Sequence, residues 1–167
     1  MGPVAVELAT HDDVHEVAAL ADAGRREYER YQPVFWRRAQ DALRRHRAYL
    51  HGLVEAPDHL FLVARQAGRL SGFVIGKLVA APRVYEPGGL TCVIDDFAVA
   101  APDQWVSVGG DLLHALAQHA GQRGAVQAVV ATAQQDHAKR QALETAGLAV
   151  ASEWWVAPID RLAGYAP

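Results

Sequence analysis

The stretch Ile94-Asp-Asp-Phe-Ala-Val-Ala-Ala-Pro-Asp-Gln-Trp-Val-Ser-Val-Gly-Gly-Asp-Leu-Leu113 decides the fold. Its apolar first part, ending at Val99, reads as a strand. A short loop with Pro102 follows, and the small residues Ser107, Gly109 and Gly110 open a helix. The backbone amides of Trp105 to Gly110 are then expected to lack intrahelical partners. Such amides, reinforced by the helix dipole, make a site for a pyrophosphate. Gly109 and Gly110 would let the ligand approach the backbone closely. The same residues also suit an ordinary strand-loop-helix connection. The loop lacks the Gly-Lys-Ser/Thr ending of a Walker A loop and the three spaced glycines of a dinucleotide fingerprint.

On the N-terminal side, Val4 to Leu8 reads as a short strand. Thr10 is a plausible N-cap, and Asp12 and Asp13 suit the positive end of the helix that follows. Val14, Val17, Ala18 and Ala21 mark its apolar face, and it should fade before Pro33. A second helix is predicted from Val34 to Val54, with Phe35, Leu43, Leu50 and Val54 on its apolar side. Its polar face carries Arg37, Arg38, Arg44, Arg45 and Arg47. Leu60 to Ala64 and Leu70 to Val79 read as strands joined by a hairpin turn, where Gly68 supplies a positive φ. A loop from Pro82 to Gly89 precedes the strand Thr91 to Val99. On the C-terminal side, a helix from Val108 to Gln122 buries Leu112, Leu113, Leu116 and Ala120. A strand from Val126 to Ala131, a helix from Asp136 to Ala146 stopped by Gly147, and a last strand from Leu148 to Val156 complete the order. The fold class is α/β (mixed α+β), a single domain over residues 1–167 with one central mixed sheet flanked by helices.

Composition narrows the function classes. The chain has 167 residues, 51% hydrophobic and 21% charged, which excludes a disordered chain and a small disulfide scaffold. A formal net charge of -3 gives no nucleic-acid footprint. Cys92 is alone, so it forms no intrachain disulfide and is expected to be a small packed hydrophobe. The N-terminus has no signal-peptide pattern and no apolar run is long enough to span a membrane, so a cytoplasmic protein without membrane contact is expected. The eight histidines are scattered. His11 and His15 are spaced i, i+4 and His46 and His51 share a helix, but no metal-ligand pattern surrounds them, so solvated histidines and no metal are expected.

The sequence resembles the GNAT superfamily of N-acetyltransferases. Gln104-Trp-Val-Ser-Val-Gly109 is similar to the family pattern Gln/Arg-x-x-Gly-x-Gly/Ala, matching at Gln104 and Gly109 and departing at Ser107. Phe97, Ala98 and Val99 stand where the family has an apolar triplet whose backbone pairs with the pantetheine arm of acetyl-coenzyme A. Asp111-Leu-Leu113 resembles the next helical turn, and Ala146-Gly-Leu148 the Gly-Phe ending of a later helix. In that helix Asp136 takes the usual Asn position. Leu143 takes the position of a Tyr that commonly protonates the departing thiolate, so that role passes elsewhere or to water. The resemblance implies a GNAT-like fold, acetyl-coenzyme A as co-substrate without a metal, and direct transfer to an amine. It implies that Gln104, Trp105, Val106, Ser107, Val108, Gly109 and Gly110 hold the pyrophosphate. Asp136 and Arg140 would stand near the cofactor, with Lys139 and Arg140 either reaching its phosphates or forming a solvated face.

An amine must lose a proton before it attacks a thioester, and a carboxylate can accept it directly or through water. Asp95 and Asp96 precede the apolar triplet, as an acidic segment does in diamine and polyamine acetyltransferases. Neighbours on a regular strand point to opposite faces, so both reach one cleft only if a bulge re-aims one. Asp95 is the candidate base and Asp96 the candidate substrate anchor; the alternative is an ion pair with Arg69, Arg83 or Lys77. Tyr28, Tyr31 and Trp36, with Phe35, stand where the family forms its lid over the acceptor, and either wall a pocket or pack as core. Glu27 and Tyr85 are weaker acceptor candidates. Trp154 and Trp155 alternate across the last strand, so one could meet a subunit partner in a homodimer. Open acceptors are a small polyamine, an amino sugar, an amino acid and a protein N-terminus. The rival readings are a non-catalytic acyl-coenzyme A-binding or sensor domain and a hydrolase using Ser107 and a His, although no Gly-x-Ser-x-Gly elbow surrounds that serine.

Overall fold

The computed structural model describes residues 3–164, so Met1 and Gly2 of the N-terminal stretch lie outside the described residues. Strand β1 (Val4–Leu8) is followed by helix α1 (Val14–Tyr31), which a short turn at His11–Asp13 introduces. Thr10 starts that turn. Its N–H and Oγ1 both donate to Asp13 Oδ2, at 2.7 and 2.9 Å. Helix α2 (Ala42–Leu53) precedes strands β2 (His59–Gln66), β3 (Arg69–Val79) and β4 (Leu90–Val99). Then come α3 (Gly110–Gln122), β5 (Ala125–Val130), α4 (His137–Thr145) and a short α5 (Ile159–Ala163). Among the described residues no helix is long and apolar enough to cross a membrane.

One five-stranded sheet runs in the order β1-β2-β3-β4-β5. The first four strands pair antiparallel and β4 pairs parallel with β5 across the α3 crossover. The tight β2–β3 hairpin turns through Ala67 and Gly68, both at positive φ. Side-chain alternation sorts the core onto two faces. Phe61, Val63, Phe73 and Ile75 meet Val17, Ala21 and Leu50 of α1 and α2. Leu60, Leu62, Val74 and Ile94 meet Leu112, Leu116 and Leu143 of α3 and α4. Cys92 is buried, with its Sγ against Gly76, where an added Cβ would come within 2.6 Å.

Three expectations need correction. The second helix begins at Ala42, not Val34, and residues 32–41 form turns. Arg38 explains the break: its guanidinium is drawn onto Asp22 of α1 and its N–H donates to Glu29 Oε1 at 3.1 Å. The last strand is absent: residues 148–156 carry strand-like alternation but join no sheet. Finally, α5 follows Pro158, where no helix was foreseen.

Candidate functional site

A cavity of about 670 Å3 opens between α1, the 32–41 connection, the end of β4 and the start of α4. The register of β3 against β4 places one bulge beside it. Ile75 faces Asp96 and Gly76 faces Ile94, which leaves Asp95 without a partner. The extra residue re-aims the strand, so Asp95 and Asp96 both line the cavity although they are sequence neighbours. Their surroundings differ. Asp95 is exposed, and no partner lies in hydrogen-bond reach among the described residues. Asp96 Oδ2 lies 2.7 Å from Arg25 Nη2 and 2.8 Å from His46 Nε2. The foreseen partners Arg69, Arg83 and Lys77 are therefore replaced by groups from α1 and α2, the helices that cover this face. His46 is buried in that cluster rather than solvated.

Tyr28, Tyr31 and Trp36 come together in the lining of the same cavity. The ring of Tyr28 lies 5.8 Å from Tyr31 and 5.1 Å from Trp36. Phe35 continues the wall outward, with its ring 4.6 Å from Trp36 and 5.9 Å from Trp154. Phe35 and Trp36 reach this wall because residues 32–41 leave the helical path, whereas Tyr28 and Tyr31 come from the last turns of α1. Tyr28 OH donates to Asp136 Oδ2 at 2.9 Å, and Lys139 N–H donates to Asp136 Oδ1 at 3.2 Å. Asp136 thus caps α4 and fixes Tyr28 in the wall. Burial, with the Asp136 charge nearby, raises the phenol of Tyr28 well above its ordinary range. Burial also raises Tyr31, helped by Glu27 and Asp136. Glu27 lines the cavity and pairs with Arg30 at 2.8 Å; Tyr85 is exposed on a separate loop.

The turn from Gln104 to Gly110 departs from its expected form. Helical winding starts at Pro102, and residues 105–109 form one wide π turn that runs into α3. Pro102 favours that early start because its fixed φ suits a first helical turn and it has no N–H to satisfy. The amides of Trp105 and Gly110 therefore donate to Pro102 O and Ser107 O and are not free as foreseen. Gln104 turns back on its own loop, accepting from Ala101 N–H at 3.1 Å and donating to Gln66 Oε1 at 3.2 Å. Trp105 is only 8% exposed, its ring 4.8 Å from Phe97 and nearly perpendicular to it. Gly109 is required there: an added Cβ would sit 2.9 Å from the Trp105 ring. Val106 and Ser107 face outward, while Val108 is buried.

Pairing between β4 and β5 stops at Ile94–Val130, with one further bond from Ala131 N–H to Ile94 O. Beyond it Phe97 O faces a gap that suits an extended, amide-bearing arm of the kind the resemblance implies. The Lys139 ammonium already spans that gap, donating to Phe97 O at 3.2 Å and Ala131 O at 3.1 Å. Lys139 is 3% exposed and lies over the Phe97 and Trp105 rings. Burial pushes its pKa down to about 8, against the raising pull of Asp136 and Asp96. An arm pairing with β4 fits once Lys139 releases Phe97 O. Arg140 is half-buried and donates to Gln134 O at 3.1 Å. Phe97, Ala98 and Val99 line the cavity where it meets this gap.

Arg25 and His46 were missed as site residues, and Lys139, expected either at the cofactor phosphates or on a solvated face, is instead buried against Phe97 O and Ala131 O. Lys139 left a readable signal: it lies one helical turn before Leu143, on the buried stripe of α4, where a charge is out of place. Arg25 and His46 left none, because their meeting depends on how α1 and α2 pack together.

The profile of the acetyltransferase (GNAT) family matches residues 21–148. No curated protein sequence matches the chain. Among solved structures, a tetramutant of the BH1408 protein from Bacillus halodurans is similar at TM-score 0.78 and 15% identity, covering 92% of this chain and 99% of that one. The ribosomal-protein-alanine N-acetyltransferase from Brucella melitensis biovar Abortus 2308 is similar at TM-score 0.64 and 22% identity, covering 93% and 99%. The aminoglycoside N-acetyltransferase AAC(6')-Iy in complex with CoA is similar at TM-score 0.70 and 11% identity, covering 95% of each. These likenesses carry the fold, and the profile, which spans the aromatic wall, the Asp95 bulge, the 104–110 turn and α4, carries the family: the chain belongs to the GNAT acetyltransferases.

Proposed function

We propose that this chain transfers the acetyl group of acetyl-coenzyme A to a primary amine of a small cationic acceptor by direct transfer. One observation carries the reading: a single cavity holds the aromatic wall together with the carboxylate of Asp95, which has no hydrogen-bond partner among the described residues. Aromatic faces attract a cation through their quadrupoles, and carboxylates at the rim complement its charge. Asp96, already engaged by Arg25 and His46, shapes the site more than it charges it. Asp95 takes the proton of the amine directly or through water. The freed nitrogen pair attacks the thioester carbonyl, whose oxygen a backbone amide near Val99 polarises. The carbon-sulfur bond breaks, and water protonates the thiolate, since Leu143 has no proton to give. Placing both reactants in one cleft supplies most of the rate advantage such a transfer needs.

The names of two similar structures, a ribosomal-protein-alanine and an aminoglycoside acetyltransferase, mark peptide and amino-sugar amines as classes to test. Thiol release from acetyl-coenzyme A, followed across polyamines, amino sugars, amino acids and peptides, tests the proposal. Release with a small polyamine or amino sugar supports it. The second reading, a non-catalytic acyl-coenzyme A sensor, is favoured by Leu143, Ser107 and the Lys139 bridge across the gap. Calorimetric binding of acetyl-coenzyme A without release for any amine would establish that reading instead.

A further inference from the structure

Lys139 is a buried amine to which the proposed transfer gives no chemical part. The chain has only two lysines, Lys77 and Lys139, and its other long cationic side chains are all arginine. Lys77 is exposed on β3. Lys139 is 3% exposed and lines the same cavity as Asp95, Asp96 and Phe97. Among the described residues, the polar partners of its Nζ are two main-chain carbonyls, Phe97 O at 3.2 Å and Ala131 O at 3.1 Å. Asp136 and Asp96 favour its charged form only from a distance, so burial outweighs them and its pKa falls to about 8. At pH 7 about a tenth of such an amine carries a free electron pair, against less than about a thousandth for an exposed lysine. An amine desolvated in this way is a nucleophile.

Its position adds reach. Phe97 O is the carbonyl that an arm pairing with β4 would take, which frees the end of Lys139. Val99 lies two residues further along the strand, about 6.6 Å away at roughly 3.3 Å per residue. A four-carbon stem anchored on α4 covers that distance. We propose that Lys139 Nζ is an acetyl acceptor of the chain's own, and that the protein acetylates itself there when acetyl-coenzyme A is bound and the cavity holds no other amine. The proposal rests on the reading that the acetyl group is delivered beside Val99. The unprotonated Nζ attacks the thioester carbon; the amide bond forms and the carbon-sulfur bond breaks. Sulfur leaves with the bonding pair, and the proton shed by nitrogen reaches it through water, so no further reagent is consumed. The product is a neutral side chain with one N–H in place of the ammonium's three. It can hold one of the two carbonyls but not both, and it no longer carries the charge that burial penalises.

The full chain is incubated with acetyl-coenzyme A and no amine, then followed by intact mass and peptide mapping. The expected result is a gain of one acetyl group at Lys139, at least about tenfold faster than at Lys77, since a held amine reacts as if highly concentrated. Its rate constant should not depend on protein concentration. Lys139→Arg keeps a cation without an amine to acylate and should lose the fast gain. If that variant does not fold, the wild type unfolded in urea gives the comparison: the two lysines should then react alike. No gain at Lys139 overturns the proposal and leaves that residue a clamp between β4 and β5. A gain no faster than at Lys77 overturns it as uncatalysed chemistry, and a rate constant that rises with protein concentration overturns it because one copy then modifies another. Thiol release with added amines is scored on the same protein. Release with an amine but no gain at Lys139 removes self-acetylation alone. A gain at Lys139 without release for any added amine sustains self-acetylation and removes transfer to a small acceptor.

Discussion

Lys139 Nζ donates to the carbonyl oxygen of Phe97 at 3.2 Å, so an ammonium from α4 fills the gap beside the strand whose carboxylates line the cavity. Any donor arm that pairs with β4 competes with that ammonium for the same oxygen. Hydrogen bonds to a charged group contribute about 1.5–3 kcal/mol each. Lys139→Met keeps the bulk of the stem and removes the competitor. Calorimetry at neutral pH should show acetyl-coenzyme A binding tighten by about tenfold, the equivalent of roughly 1.4 kcal/mol. Unchanged or weaker binding would mean that the ammonium is not in the way.

The same lysine makes folding depend on pH in a direction that can be worked out. Burial lowers its pKa from 10.5 to about 8 in the folded protein. Between those values the unfolded chain binds more protons, so this residue makes stability rise with pH across that window. Below pH 8 its cost is present in full. Burial raises Tyr28 and Cys92, which act in the opposite sense at alkaline pH, so the wild type must be compared with Lys139→Met. Denaturant titrations should show wild-type stability gaining on the variant between about pH 8 and 10.5, by up to roughly 3 kcal/mol at 1.36 kcal/mol per pKa unit. Parallel pH curves for the two proteins would contradict the buried, weakly basic state.

Much of the fold was legible because alternation and turn residues agreed locally. The Thr10 start, the Gly68 turn, the β4 strand and the Gly147 stop each rest on contacts within a few residues. Two failures share a cause at longer range. The 34–41 stretch has a helical pattern, but Arg38 is drawn to a buried Asp22 and Trp36 to Tyr28, contacts that one-dimensional periodicity does not contain. The 148–156 stretch has a strand pattern and no strand beside it, since pairing is a property of two segments. At the site, the acidic pair and the aromatic cluster could be read from residue type. The Asp96–Arg25–His46 cluster could not, because it joins residues from three elements.

Arg38 ties the cavity's roof to α1. Asp22 is buried, which alone would raise its carboxyl, yet Arg38 and Arg26 bring it below the ordinary range. Arg38→Ala leaves that charge with only the more exposed Arg26, a loss of about 2–4 kcal/mol, near the low end for a broken buried pair. A lowered carboxylate contributes stability that is present above its unfolded pKa and lost as pH falls through the folded one. Acid titration followed by circular dichroism should therefore place unfolding of the variant at a higher pH than the wild type. An unshifted acid transition would show that Arg38 is not what holds Asp22 ionised.

Trp36 provides the test of the aromatic wall. It borders the cavity and its ring packs on Tyr28 and Phe35, so its loss is expected to act on the acceptor rather than on the cofactor. Trp36→Ala removes one cation-attracting face, with an effect of about 0.5–2 kcal/mol. With an amine that supports thiol release, KM for the amine should rise about twofold to thirtyfold while the dissociation constant of acetyl-coenzyme A stays the same. A change confined to acetyl-coenzyme A binding would place the acceptor elsewhere.

Asp95 is the residue on which transfer itself depends. The bulge that skips it in the β3–β4 register presents its carboxylate to the cavity, free of the Arg25 and His46 contacts that engage Asp96. Asp95→Asn keeps the shape and removes the proton acceptor. General-base loss of this kind slows turnover by about a hundredfold to ten-thousandfold. The turnover number should fall on that scale, with acetyl-coenzyme A affinity and thermal midpoint close to the wild type. Raising pH should restore part of the rate, because the amine then loses its proton to water unaided. A variant with full turnover at neutral pH would remove Asp95 from the chemistry and leave it as a rim charge that attracts the acceptor.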